Sequence, residues 1–425
     1  MVIGIALLIA LLIIGMPIAL SLGLAGSLGL MSENVNFMLS ILSTSPYRSA
    51  ANFTLSTIPL FIFMAEILSK AGYATDLFRI SYRWIGHLPG GLASSTILSC
   101  AMMGSMTGSS SAATAAMARI CIPEMDRYGY NRKLSTGVVA FGGTLAVLIP
   151  PSIPLVVYGI ITETSIGKLL IAGLIPGIVT AVLHCVGIYV LARIRPEMAP
   201  SVKAFSWRER FEALKGFWVI GIIIFAVIGS MYFGVATATE AAAIGAVVSL
   251  LVAAGSRRIG LKGILEALKE TIKITSMIFL IMIGAMVFSY FLTYTGVSQR
   301  LAGYVASLDL PAMVIFLIIV AVIILLGFFM EGMAILLTAI PIVFPIVQML
   351  GFDPIWFGII VIIAGEIGLV TPPVGLNAFI VSTISREPLA NVFKGSAVLL
   401  IFEAVVLAII ILFPEIALWL PERMK

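Results

Sequence analysis

The chain has 425 residues, 61% hydrophobic and 11% charged. A soluble domain carries about 25% charged residues, so soluble enzymes and binding modules are excluded and a polytopic membrane protein is expected. The net charge of +5 sits in segments between apolar runs, which reads as positive-inside bias and not as a nucleic-acid face.

The apolar runs are roughly 17–25 residues long, the length of spanning helices and not of barrel strands, which alternate over about ten. The fold class is therefore all-α. Residues 2–30 are apolar and interrupted at Gly15-Met16-Pro17. This predicts one long kinked helix, or a helix and a short second piece. No basic segment precedes the run, so a retained span is expected and not a cleaved signal. The more polar 31–51 reads as a loop with a short interfacial helix. A span follows over 52–72. Residues 73–90 place charged groups between apolar ones at helical spacing, the pattern of an amphipathic helix at the interface.

Residues 91–120 carry GSMTGSSSAATA, Gly104 to Ala115, at their middle. A straight span packed through small residues is one reading. Eight successive Gly, Ser, Met and Thr residues make a poor helix centre, however, and favour a re-entrant hairpin with its tip near Thr107–Ser110. A charged loop at 123–133 leads to a span over 134–161, broken at Pro150-Pro151. A loop with Glu163 and Lys168 leads to a span at 169–192. The longest polar stretch is 193–215. Spans at 216–233 and 236–254 form a hairpin. Residues 256–273 are basic and amphipathic and predict a second interfacial helix, ahead of a span at 274–297. Residues 312–350 read as a span or hairpin broken at Gly327–Gly332, Pro341 and Pro345. A span at 355–382 breaks at Pro372-Pro373, and a last span covers 396–413. With 91–120 as a hairpin, the four most basic segments (73–90, 123–133, 193–215 and 256–273) fall on one face, the cytoplasmic one by the positive-inside rule.

The two halves echo each other. Lys70-Ala71-Gly72 answers Tyr294-Thr295-Gly296, Gly104 answers Gly327, and Pro150-Pro151 answers Pro372-Pro373, at offsets of 224, 223 and 222. The loop count makes the repeat inverted. Inverted repeats with paired broken helices mark secondary transporters with a site at the midplane. The expected organisation is helices and an interfacial helix in 1–90, a first mobile half in 91–172, further scaffold in 173–297, a second mobile half in 312–394, and a C-terminal helix in 395–425.

Breaking a helix frees carbonyls at one half-helix end and N–H groups at the other. Carbonyls and hydroxyls suit Na⁺, while N–H groups at a helix start suit a carboxylate. Prolines at 150, 151, 372 and 373 cannot donate, so Leu148, Ile149, Val370 and Thr371 should present carbonyls. Two Na⁺ sites are expected. One lies among Ser105, Thr107, Gly108, Gly143, Leu148 and Pro150, the other among Gly327, Gly368, Thr371 and Val374. The substrate should meet Thr107, Ser109, Ser110, Ser152 and Asn377. Intramembrane carboxylates are costly and usually functional. Of these, Glu331 sits at a tip and joins the substrate set, Glu66 and Glu366 are expected to meet broken-helix N–H groups, and Glu240 follows a capping pattern. No intramembrane Arg lies near either tip, which favours a hydroxyl-rich monocarboxylate such as sialic acid.

Cys100, Cys121 and Cys185 show no metal or disulfide spacing, and His87 and His184 are isolated. Ser109 and Ser110 lack the setting of an activated nucleophile, so an intramembrane protease is disfavoured. A repeat inside one chain also fits poorly with a channel built from identical segments. The chain is therefore expected not to be an enzyme.

GSMTGSSSA, LIPPSIPLVVYG, GFFMEG with downstream IPIVFPIV, and TPPVGLN together resemble the large, DctM-like membrane subunit of TRAP (tripartite ATP-independent periplasmic) transporters. The resemblance covers essentially the whole chain. It implies a multi-pass protein of the bacterial inner membrane and an ion-transporter-superfamily-like elevator fold, in which a mobile domain carries both hairpins. It implies coupling to Na⁺, two ions or more, without ATP. It implies a small four-helix membrane subunit, a soluble periplasmic binding protein and the lipid bilayer as partners, with organic acids such as C4-dicarboxylates and sialic acids as substrates. A standalone sodium/carboxylate symporter of the same architecture is the alternative.

Overall fold

The computed structural model describes residues 2–214, 217–307 and 310–424, and the regular elements among them are all helical. Six helical stretches among the described residues are long and apolar enough to cross a bilayer: Phe53–Lys70, Ile166–Ile194, Ala238–Gly255, Leu261–Thr295, Gly332–Met349 and Leu389–Leu412. The helices of both candidate breaks and several others are shorter, as half-spans require.

The chain opens with α1 (Val2–Ile13) and α2 (Ile18–Glu33). Gly15, at φ +83°, closes α1 in the left-handed conformation that favours glycine. Gly4 in α1 and Gly29 in α2 both lie against the ring of Phe291. The two helices therefore fold back on each other, and the expectation of one kinked helix, or of a helix with a short second piece, is corrected to a hairpin of 12- and 16-residue helices. The expected loop at 31–51 is a helix, α3 (Val35–Ala50), started by the Asn34 side chain accepting the Phe37 N–H at 3.0 Å. Phe37 stacks on Tyr294 at 4.7 Å, so α3 has an apolar partner that its polar composition hid.

Next come α4 (Thr57–Lys70) and the amphipathic α5 (Tyr73–Ile85), which buries Tyr73, Leu77, Phe78 and Tyr82. The expected hairpin follows: α6 (Gly91–Thr107) turns at Gly108-Ser109 into α7 (Ser110–Arg127). α8 (Arg132–Gly142) runs into a tight turn at Gly143–Val147, breaks, and resumes as α9 (Ile153–Thr162). Then follow α10 (Ile166–Ala172), α11 (Leu174–Ile194), α12 (Trp207–Leu214), α13 (Phe217–Ile224), α14 (Ser230–Tyr232) and α15 (Ala238–Gly255). The Thr237–Glu240 capping box starts α15, with the Thr237 N–H donating to the Glu240 carboxylate at 2.8 Å.

The second interfacial helix expected at 256–273 is not separate. It is the first half of α16 (Leu261–Thr295), one helix of 35 residues. No proline interrupts it, and its length of ~52 Å exceeds the ~30 Å hydrocarbon layer, so its charged turns stand outside. There Lys70 pairs with Glu266 at 3.3 Å and Arg258 pairs with Asp76. Arg83 donates to the Glu209 carbonyl at 3.0 Å, Trp84 to that of Arg210 at 3.2 Å, and the Asn131 N–H to that of Met198 at 2.9 Å. The four basic segments thus meet on one face, as the loop count requires.

The second half repeats the pattern. α17 (Val297–Ala306) follows Gly296 (φ +66°) as α5 follows Gly72 (φ +77°). α18 (Ala312–Gly327) turns into α19 (Gly332–Met349), which runs through Pro341 and Pro345 without the breaks expected there. α20 (Pro354–Leu369) breaks at Pro372-Pro373 and resumes as α21 (Leu376–Ser385). Both Pro-Pro bonds are cis. α22 (Leu389–Leu412) and the short α23 (Glu415–Leu418) end the helices.

Candidate substrate and ion site

Each hairpin tip is seated on its own broken helix because glycine removes the side chains between them. A Cβ on Gly104 would lie 2.5 Å from the Ala146 Cα, and one on Gly108 (φ +56°) 2.9 Å from the Pro151 carbonyl oxygen. A Cβ on Gly143 would strike the Thr114 hydroxyl. In the second half the Cα atoms of Gly327 and Gly368 face each other so closely that neither position has room for a methyl group.

Among the described residues, no hydrogen bond reaches the carbonyls of Leu148, Ile149 and Pro150 in the first break, or of Val370, Thr371 and Pro372 in the second. Buried carbonyls are ordinarily satisfied, so those of the buried Leu148, Pro150 and Val370 keep acceptor capacity that a cation could use, while Thr371 and Pro372 lie nearer the surface. The Thr371 hydroxyl donates to the Ile367 carbonyl at 2.6 Å and keeps its lone pairs. Thr107 donates to the Met103 carbonyl at 3.2 Å. The side chain of Ser105 lies outside the described residues. Val374 is 43% exposed. Thr114, which the sequence reading missed, has a fully buried hydroxyl beside Gly143 with no partner among the described residues. Both sets offer the neutral oxygens that suit Na⁺.

Four polar side chains meet in one cavity of about 330 Å³: Ser109, Ser110, Glu331 and Glu366. It is closed by Pro17–Ala19 at the α1–α2 turn and by Ile278 and Ile281 of α16. Ser110 faces Glu366, and Ser111 faces Glu331. Neither Ser111 Oγ nor Glu366 Oε2 completes a hydrogen bond of good geometry, so the cluster keeps capacity for a ligand. Glu366 reaches the start of α19, its Oε1 being 3.5 Å from where a Cβ of Gly332 would stand.

Other expected residues lie elsewhere. Thr107 does not line this cavity. Ser152 is fully buried, and its hydroxyl accepts the Leu155 N–H at 3.3 Å, capping α9. Asn377 is fully buried and does not line the cavity, and among the described residues neither amide atom has a partner. Glu66 has Lys70 and Glu270 as its charged neighbours. A further buried pair escaped notice: His184 Nε2 lies 3.5 Å from Glu403, with the Phe141 ring 4.7 Å from the imidazole.

Solved structures with a similar fold include the YdaH transporter of Alcanivorax borkumensis (TM-score 0.61, 15% identity, 89% of each chain) and MtrF of Neisseria gonorrhoeae (TM-score 0.58, 14% identity, 88% of this chain and 85% of that one). Curated relatives include the C4-dicarboxylate TRAP transporter large permease protein DctM of Pseudomonas aeruginosa, 38% identical over 95% of this chain and 94% of that protein. The sialic acid TRAP transporter large permease protein SiaM of Vibrio cholerae is 31% identical (97% and 96%), and the ectoine TRAP transporter large permease protein TeaC of Halomonas elongata is 30% identical (98% of each). The family model for the tripartite ATP-independent periplasmic transporter, DctM component, matches residues 5–416. The chain therefore belongs to the DctM large-permease family of TRAP transporters and is a multi-pass protein of the inner membrane.

Proposed function

We propose that this permease takes up an organic acid across the inner membrane by sodium-coupled symport, without ATP. The observation that carries the reading is the meeting of both hairpin tips at one cavity, each tip backed by a break whose carbonyls have no hydrogen-bond partner among the described residues. Neutral oxygens at the breaks hold Na⁺. The starts of α7 and α19, with Ser109 and Ser110, receive the carboxylate. The hairpins and broken helices move as one body against α1–α4 and α16, an elevator motion.

A periplasmic binding protein delivers the substrate, and a small four-helix subunit completes the membrane part. Relatives named for C4-dicarboxylates, sialic acid and ectoine set the substrate panel. The cavity lining contains no Arg, Lys or His, which favours sialic acid over a dianion.

The test is uptake into proteoliposomes holding the complete membrane complex, with the binding protein outside. We expect accumulation that needs an inward Na⁺ gradient and the binding protein. Equal uptake in choline medium would overturn sodium coupling, and equal uptake without the binding protein would favour the standalone symporter.

A further inference from the structure

A second cavity lies on the face opposite the basic segments. It holds about 370 Å³ and is lined by Arg48, Asn52, Glu163, Ser289, Tyr290 and Thr293. Its relation to the first cavity is set by α16. Residues 274, 277, 278, 280 and 281 line the first cavity, and 282, 285, 286, 289, 290 and 293 line the second. Ile278, Met282, Ala285, Ser289 and Thr293, spaced by three and four residues, form one stripe that runs from the first cavity to the second, with the other lining residues on its flanks. Ile278 and Ser289 are separated by about 16 Å of helix rise. The same two helices of the mobile body face both cavities: α9 by Pro154 below and Ile160 above, α19 by Met333 below and Leu337 above.

The α16 lining changes character along its length. Its inner part is Ile274, Met277, Ile278, Leu280 and Ile281, while its outer part carries Ser289, Tyr290 and Thr293, with Arg48 lining the same cavity. Arg48 is a cation on the face that the positive-inside rule leaves poor in cations. Among the described residues no ion pair joins it to Glu163, the carboxylate of the same cavity.

We infer that Arg48, with Ser289 and Thr293 of α16, forms an outer carboxylate-binding station on the static part of the permease, which the substrate meets before the hairpin tips carry it inward. This rests on the elevator reading above. In the outer position the tips, which lack a cation of their own, stand level with Ser289. Arg48 then supplies the positive charge, and a planar guanidinium matches a carboxylate through paired N–H donors. Moving inward leaves Arg48 behind and sets the substrate against apolar side chains, so the charge contact is made on arrival and lost on release.

The test uses Ser289→Cys in a Cys185→Ser background, as the assembled membrane complex in right-side-out vesicles. Two membrane-impermeant methanethiosulfonates of similar size are compared, sulfonatoethyl and trimethylammonioethyl. We expect the anionic reagent to label severalfold faster, Arg48→Gln to abolish that preference, and Arg48→Lys to keep it. No labelling from outside, or an unchanged ratio in Arg48→Gln, overturns the station. Uptake of the organic-acid panel by the same vesicles, before the cysteine is introduced, is scored separately. Uptake with an unchanged labelling ratio removes Arg48 while the transport reading stands. An altered ratio without uptake removes the transport reading while the anion station stands.

Discussion

The two halves break their helices alike and shelter the breaks differently. In the first half, Pro150, Pro151 and Ser152 are buried; in the second, Pro372, Pro373 and Val374 are exposed. The first hairpin turns in two residues, Gly108 and Ser109. The second takes four, Phe328 to Glu331, with Phe329 67% exposed. Non-helical backbone at membrane depth must be buried in protein or reached by water. The first half uses protein and the second uses access. The difference teaches that the same break can be sheltered in two ways, the first packed within the chain and the second open at its surface.

The largest expected effect tests that difference. Val at Gly104 must displace the Ala146 backbone, and Val at Gly368 must displace Gly327. Overpacking of this kind costs about 1–3 kcal/mol, occasionally more. In the enclosed first half, Gly104→Val should reach the upper end and lower the unfolding temperature of the purified permease most. Gly368→Val should cost less, because the second hairpin can lift away, and should instead abolish the stabilisation by sodium. Equal unfolding temperatures for the two variants would break the comparison.

A middle-sized effect compares the ion sites. Thr114→Val and Thr371→Val each remove one hydroxyl while keeping the shape. A lost ligand oxygen worth about 1 kcal/mol weakens sodium binding roughly fivefold. A ligand that binds only the folded state stabilises it by RT ln(1 + [L]/Kd), so the rise of unfolding temperature with NaCl over choline chloride reads both sites. Each variant should shift its midpoint to higher sodium. A shift in Thr371→Val alone would leave the buried Thr114 hydroxyl as packing and place the ion chemistry in the second half.

Much of this was legible in residue order. Eight small residues without a branched aliphatic announce the first tip, and the paired prolines announce both breaks, because each effect is local. The nature of α16 was hidden: a charged amphipathic stretch reads as interfacial even when no breaker separates it from the span that follows. The α1–α2 hairpin was half visible, since Gly15-Met16-Pro17 marks an interruption but not its angle. Long-range pairs left no trace. His184 and Glu403 meet at 3.5 Å from helices far apart in the chain, and the Arg48 cavity is assembled from α3, α9, α16 and α19.

The smallest expected effect concerns how each half restarts its helix. Ser152 caps α9, accepting the Leu155 N–H at 3.3 Å, whereas α21 begins after Gly375 (φ +55°), which has no side chain to offer. Both starts expose N–H groups, but only the first has a resident acceptor. Ser152→Ala should therefore cost about 1 kcal/mol, seen as a modest fall in unfolding temperature with sodium response unchanged. Among the described residues no side chain caps the second start, so the corresponding loss has no counterpart there. If Ser152→Ala instead weakened substrate binding without lowering stability, Ser152 would be a substrate contact and the two halves would be more alike in function than their burial indicates.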